Sequence, residues 1–230
     1  MMNPGEESYP FPFEERCART LEELRNSTGL VVSEARFGAV PRLLDDIEFV
    51  FESLADDDGL PFSQAVQQYF FRFGDITTHW RSPQDDSELS GEFHLTHLYS
   101  TSLMSHTWEG SDDRERALYQ ELRIFDDTPQ TGSGYLAALR APRGTTDPEI
   151  WFFDMHRGVL EMDLEYGAYL DTLLITKGTS GWQYLFCDIG MPDAGFAPVA
   201  KGLKEMLEVF PQLFPDHDYT DLRARLRERL

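Results

Sequence analysis

Two histidines in the segment His94-Leu95-Thr96-His97 could support metal chemistry, with His106 and Asp112 as further ligands. Alternating apolar and polar residues predict a strand over this segment, and strand residues three positions apart point to opposite faces of a sheet. The pair also lacks the HExxH spacing that sets two zinc ligands on one helical face. We therefore predict structural histidines, with no metal site and no cofactor.

Four pairs of adjacent acids are the next candidates for chemistry: Asp45-Asp46, Asp85-Asp86, Asp112-Asp113 and Asp126-Asp127. General acid–base catalysis needs two carboxylates that converge across a cleft in different environments. Adjacent acids flanked by loop residues are usually both solvated and ionised. The sequence also has no G-x-S-x-G elbow, and Cys17 and Cys187 read as reduced, buried thiols. We predict no catalytic residues.

The charge of the chain favours binding over catalysis. The sequence has 41 Asp and Glu residues against 20 Lys and Arg residues, a formal net charge of −21. Such a surface repels nucleic-acid phosphates and anionic lipid headgroups, so we expect neither nucleic acid nor membrane as a direct partner. It attracts a basic protein and speeds the encounter. Because the first ten residues lack the features of a secretory signal, we expect a cytoplasmic protein.

Two polar loops are the predicted partner-binding site. Clustered acids strengthen the local potential, and a tryptophan beside them is a natural anchor for a protein interface. The predicted partner-binding residues are Asp85, Asp86, Glu88, Trp108, Glu109, Asp112 and Asp113.

The elements that must position these loops follow from hydrophobic periodicity. A period of 3.6 predicts helices and a period of 2 predicts strands. Helices are predicted near 13–25, 43–50, 62–73, 111–122, 166–174, 199–210 and 221–230, and strands near 76–80, 93–99, 135–139, 149–154 and 159–163. Pro211 is expected to break the 199–210 helix. This order predicts an α+β fold with a mostly antiparallel sheet of about four to six strands flanked by helices.

We predict one domain over residues 1–230. It has N-terminal helices over about 13–73, a sheet core over about 74–188 and C-terminal helices over about 199–230.

The stretch from Gly134 to Asp188 resembles a known family. It contains Glu149-Ile150-Trp151-Phe152-Phe153-Asp154, a turn with Gly158, and Val159-Leu160-Glu161-Met162-Asp163. The helix that follows begins Tyr166-Gly167-Ala168-Tyr169-Leu170. This pattern resembles the SMI1/KNR4 (SUKH) superfamily, in which a hairpin of the form "D…G.V" precedes a helix carrying "yl..ll". Arg72-Phe73-Gly74 is similar to the end of that family's helix before its first strand.

The resemblance implies a SUKH-like fold and a binding function. The family is linked to bacterial immunity proteins that neutralise toxins, many of them nucleases, and it has no shared catalytic residue set. Our hypothesis is an immunity-type protein that captures a basic toxin domain. The alternatives are an enzyme or small-ligand protein with an aromatic pocket lined by Trp and Tyr, and a regulatory scaffold.

Overall fold

A seven-stranded antiparallel sheet forms the centre of the computed structural model, which describes residues 9–103, 112–192 and 194–230. Neighbours in the sheet follow chain order, so each strand pairs with the next one in sequence. The strands are β1 (Val31–Phe37), β2 (Asp75–Arg81), β3 (Ser90–Thr96), β4 (Leu122–Asp127), β5 (Tyr135–Arg140), β6 (Glu149–Asp154) and β7 (Gly158–Met162). The predicted α+β, antiparallel fold is confirmed, with seven strands where four to six were expected.

Helices from both ends of the chain pack with the sheet. They are α1 (Pro12–Asn26), α2 (Ile47–Asp56), α3 (Gln64–Gln67), α4 (Leu98–Leu103), α5 (Asp113–Glu121), α6 (Tyr166–Thr176), α7 (Ala197–Leu213) and α8 (Thr220–Arg229). Two 3₁₀ turns lie at Trp182–Phe186 and Ala194–Phe196. One hydrophobic cluster joins side chains of α1, β2, α6 and α7, among them Leu24, Trp80, Leu170 and Phe210. Within the described residues, no helix has both the length and the apolar content needed to cross a membrane.

The hydrophobic periodicity of the sequence did not predict two of the strands. β1 is an edge strand within the segment predicted to be helical, and it pairs only with β2. None of its residues is buried, so it has no apolar face for a periodicity of 2 to reveal. β4 contains Asp126 and Asp127, which the sequence analysis placed in a loop. Asp126 is 4% exposed, so the prediction that this pair is solvated was wrong for its first member.

The helix predicted over 62–73 is much shorter in the structure, where only Gln64–Gln67 is helical. Phe62, Val66 and Phe70 are buried as the pattern indicated, but the chain leaves the helix after Gln68. The backbone N–H of Arg72 donates to the Glu14 carboxylate at 2.7 Å. A side chain of α1 thus takes a donor that a continued helix would have used.

Pro211 does not end α7, contrary to the prediction, because the helix runs to Leu213. A proline inside a helix leaves the carbonyl four residues earlier without its backbone donor. Here that carbonyl belongs to Leu207, and it accepts a hydrogen bond from the Arg223 guanidinium at 2.9 Å. An arginine of α8 therefore supplies the donor that Pro211 removes.

A buried ion pair links the end of α6 to α1. Lys177 and Gly178 follow the helix with positive φ angles of 54° and 69°, the left-handed backbone that commonly ends a helix. The Lys177 side chain is fully buried and donates to the Glu23 carboxylate. His217 also contacts both groups. Burial lowers the pKa of Lys177, and the hydrogen bonds from His217 and Lys177 bring the pKa of Glu23 to about 2 although its partial burial acts in the opposite direction.

Candidate functional site

The first predicted acidic loop joins β2 to β3, and its side chains are exposed. Asp85, Asp86 and Glu88 all face solvent. The loop itself is held against α7, since the Glu205 carboxylate accepts hydrogen bonds from the Ser87 hydroxyl at 2.6 Å and the Glu88 backbone N–H at 3.2 Å. The structure thus presents these acids on a backbone that α7 fixes in place.

The second predicted loop enters the sheet from the opposite end. Asp112 and Asp113 are exposed and precede α5, which leads into β4. The Asp112 carboxylate caps α5 by accepting the backbone N–H of Glu115 at 2.8 Å, and Asp113 pairs with Arg116. Trp108 and Glu109 lie outside the described residues. Because the two loops join opposite ends of the strands, the described acids do not form one continuous surface.

The histidines of the possible metal site lie in different environments. His94 contacts the Asp127 carboxylate at 2.7 Å. His97 is buried against the rings of Phe70 and Phe71, and burial lowers its pKa to about 4. His106 lies outside the described residues.

No group of three metal-ligating side chains occurs in the part of the chain that the structure describes. The two cysteines are buried and not disulfide-bonded, and burial raises the pKa of Cys187 to about 12.

A groove of about 1030 Å³ lies at the end of the sheet beside β7. The α3 region forms one wall, the segment from β7 into α6 forms another, and Phe186, Asp188 and Arg229 complete it. Its apolar lining includes Val66, Tyr69, Met162, Leu164 and Phe186.

Six carboxylates and one guanidinium line the groove. All six acids are exposed: Asp147, Glu149, Glu161, Asp163, Glu165 and Asp188. Glu149 begins β6, Glu161 lies in β7 and Asp163 directly follows β7. These acids gather negative charge at this end of the sheet.

Only part of this charge is neutralised within the described chain. Glu149 pairs with Arg140 at 3.1 Å, whereas Asp147 accepts hydrogen bonds from the Ser63 and Thr146 hydroxyls. The side chains of Glu161 and Glu165 make no hydrogen bond or ion pair with any described residue. The groove thus keeps acceptors for a cationic ligand.

Two arginines of α8 show how this groove holds a guanidinium. Arg225 lies over the Phe186 ring, 4.3 Å from its centroid, and 3.9 Å from the Asp163 carboxylate. Arg229 lies 3.8 Å from Asp188. Both acids are almost fully exposed, so these contacts are weak. Arg225 and Arg229 thus pair with the protein's own acids.

The groove does not contain the carboxyl group with the strongly raised pKa. Burial is the main cause that raises the pKa of Asp126 to about 7. Asp126 lies in β4, where it accepts a hydrogen bond from the Tyr169 hydroxyl at 2.7 Å, and it does not line the groove. The groove and this buried carboxyl are therefore separate features of the molecule.

None of the groove acids was among the predicted site residues. The predicted site was built around pairs of adjacent acids, whereas Glu161, Asp163 and Glu165 alternate with other residues, as do Asp147 and Glu149. Alternation along an extended segment sets side chains on one face, and this signal was available in the sequence. Asp188 and Arg229 reach the groove only through the fold.

Comparisons of the chain with protein-family models, with curated proteins and with solved structures found no match. The SMI1/KNR4 resemblance stays a prediction that rests on the motifs quoted above.

Proposed function

We propose that the protein binds a basic protein partner through the acidic groove, as an immunity-type protein does with its toxin. The observation that carries the proposal is the lining of six carboxylates and one guanidinium over apolar side chains. Charged rims steer the approach of a partner of opposite sign, and apolar surface between them supplies contact area. The formal net charge of −21 adds long-range attraction for any basic domain.

A protein segment suits the groove better than a nucleic acid. Phosphates would meet the six carboxylates with like charge. A basic segment satisfies the acids with its cations and covers the apolar lining with their aliphatic stems. The toxin and the immunity role come from the SMI1/KNR4 resemblance, and a regulatory scaffold would differ only in the identity of its partner.

Charge reversal in the groove is the test of this function. We expect the double variant Glu161→Lys, Glu165→Lys to weaken binding to the basic product of a neighbouring gene by roughly 10- to 100-fold, equivalent to about 1.4–2.8 kcal/mol. The side chains of these two acids make no hydrogen bond or ion pair with described groups, so the substitutions break none. Calorimetric titration at low and high salt measures the effect, and nona-lysine serves as a general polycation.

The matched control is Asp85→Lys, Asp86→Lys, which changes the net charge equally on the β2–β3 loop. If binding falls equally in both variants, attraction is non-specific. If only the control loses binding, the partner site is the sequence-predicted loop and not the groove.

Removing the two α8 arginines should have the opposite effect. The double variant Arg225→Gln, Arg229→Gln removes the cations that contact Asp163 and Asp188. We expect affinity for the same partner to rise about 3- to 10-fold, because the protein's own arginines no longer compete with the partner's cations for these two carboxylates. Leu222 and Leu226 stay buried and hold α8 in place. Unchanged affinity would mean that this wall of the groove does not contact the partner.

A further inference from the structure

The protein holds one of its own arginines at the rim of the groove in an arrangement that suits a guanidinium. Arg225 lies over the Phe186 ring, 4.3 Å from the ring centroid, and 3.9 Å from the Asp163 carboxylate. A planar guanidinium stacks on an aromatic face and donates to a carboxylate at the same time, whereas a lysine ammonium is a compact, strongly hydrated charge. The rim thus pairs a ring with an acid, a combination that favours arginine.

The same arrangement recurs at Tyr69, on the wall formed by the α3 region. The Arg16 guanidinium of α1 pairs with the Asp171 carboxylate of α6 and lies 5.7 Å from the centroid of the Tyr69 ring. The Tyr69 hydroxyl donates to the same carboxylate at 3.0 Å. Two arginines from opposite ends of the chain are therefore held beside the groove by a ring and a carboxylate together.

Tyr69 offers a partner an aromatic ring inside the groove. It is partly exposed, whereas Tyr166 and Phe186, which also line the groove, are each 3% exposed. Its hydrogen bond to Asp171 and its contact with Gly167 fix the ring, since a Cβ at Gly167 would lie 2.5 Å from Tyr69 Cε2. A ring that is already fixed loses little conformational entropy when a partner covers it.

Carboxylates without an internal cation line the same groove as this ring. Glu165 is two residues before Gly167, which packs against Tyr69. The side chains of Glu165 and Glu161 make no hydrogen bond or ion pair with any described residue. The groove therefore presents a ring and available acids, the two components that hold Arg16 and Arg225.

We infer that the groove recognises arginine side chains of its basic partner and prefers them to lysine. One guanidinium of the partner lies over the Tyr69 ring and donates its N–H groups to Glu165, as Arg16 and Arg225 do with their own ring and acid. This inference rests on the proposed function and names the side chain that the groove selects.

Two peptides of equal length and charge, nona-arginine and nona-lysine, separate arginine recognition from attraction by charge. We expect calorimetric titration of the wild-type protein to give a dissociation constant about 5- to 10-fold lower for nona-arginine. Both peptides should bind more weakly to the Glu161→Lys, Glu165→Lys variant, because both need the groove acids.

The failure of this inference and the failure of the proposed function give different results. Equal affinity of the wild-type protein for the two peptides overturns the arginine preference and leaves the proposed function standing. Binding of neither peptide overturns both, and so does binding that the Glu161→Lys, Glu165→Lys variant does not weaken.

Variants of Tyr69 test whether its ring sets the preference. Tyr69→Leu keeps an apolar side chain without an aromatic face, so the preference for nona-arginine should fall below about 2-fold while affinity for nona-lysine changes little. Tyr69→Phe keeps the ring and should keep the preference, although it loses the hydrogen bond to Asp171.

The matched control is Phe49→Leu, which removes an exposed ring of α2 outside the groove and should also keep the preference. A preference that survives Tyr69→Leu, or one that Tyr69→Phe or Phe49→Leu abolishes, overturns the inference.

Discussion

Replacing Arg72 with alanine is expected to destabilise the protein by about 3–5 kcal/mol, the cost of leaving a buried charge without its partner. The Glu14 side chain is fully buried, and the Arg72 guanidinium contacts both of its oxygens, with Nε and Nη2 at 3.1 Å. The substitution removes the cation and leaves the carboxylate where water cannot reach it. Urea denaturation at pH 7 measures the loss, and the melting temperature should fall by roughly 10 °C.

Arg36 offers a matched control for this prediction. It also pairs with two carboxylates, Glu34 and Asp75, but half of its side chain is exposed. Arg36→Ala should therefore cost no more than about 1 kcal/mol. Adding Glu14→Gln to the Arg72→Ala variant should recover part of the stability, because it removes the unpaired charge. Equal losses for the two arginine variants would show that burial of Glu14 does not set the cost.

Periodicity predicted the elements that bury one continuous face. α1, α6, α7 and the β2–β3 hairpin each carry an apolar stripe, and each lies where the sequence indicated. It failed where the burial of a residue depends on distant partners. The 62–73 segment has a helical stripe, yet Glu14 of α1 takes the Arg72 N–H and the helix ends early.

The same limit applies to the candidate site. The predicted acids were chosen because they are adjacent in sequence, and the structure leaves those it describes in two separate, solvated loops. The groove gathers acids from the segments 147–149, 161–165 and 188. Local pattern indicates that Glu161 and Asp163 share a face. Only the pairing of β6 with β7 brings the 147–149 and 161–165 segments together, and only the path of α8 brings Arg229 to Asp188.

The placement of charge supports the proposed binding function. A surface carboxylate that meets only solvent contributes long-range attraction, and the Glu161 and Glu165 side chains in the groove are of this kind. Among the described residues, the buried carboxyl of Asp126, whose pKa is raised to about 7, lies instead in the sheet, where it accepts from the Tyr169 hydroxyl. A partner with basic side chains could reach the first group of acids and not the second.

Replacing Asp126 with asparagine is expected to stabilise the protein at pH 8 by up to roughly 4 kcal/mol, the equivalent of a pKa that rises from 3.8 to about 7 on folding. Burial raises the pKa because the charged carboxylate is poorly solvated in β4. The folded protein therefore holds this proton more tightly than the unfolded chain does. The contribution of Asp126 to stability is fully present below pH 3.8 and is lost as the pH rises through about 7.

The asparagine side chain imitates the protonated acid at every pH, so the difference in unfolding free energy between variant and wild type should grow from pH 4 to pH 7 and then stay constant. Asp127→Asn is the control, since Asp127 is the sequence neighbour, is one-third exposed and pairs with His94. Parallel stability curves for wild type and Asp126→Asn would mean that the folded protein leaves Asp126 ionised at neutral pH. In that case Tyr169 and the His94 backbone N–H, which both donate to Asp126, would be strong enough to offset its burial.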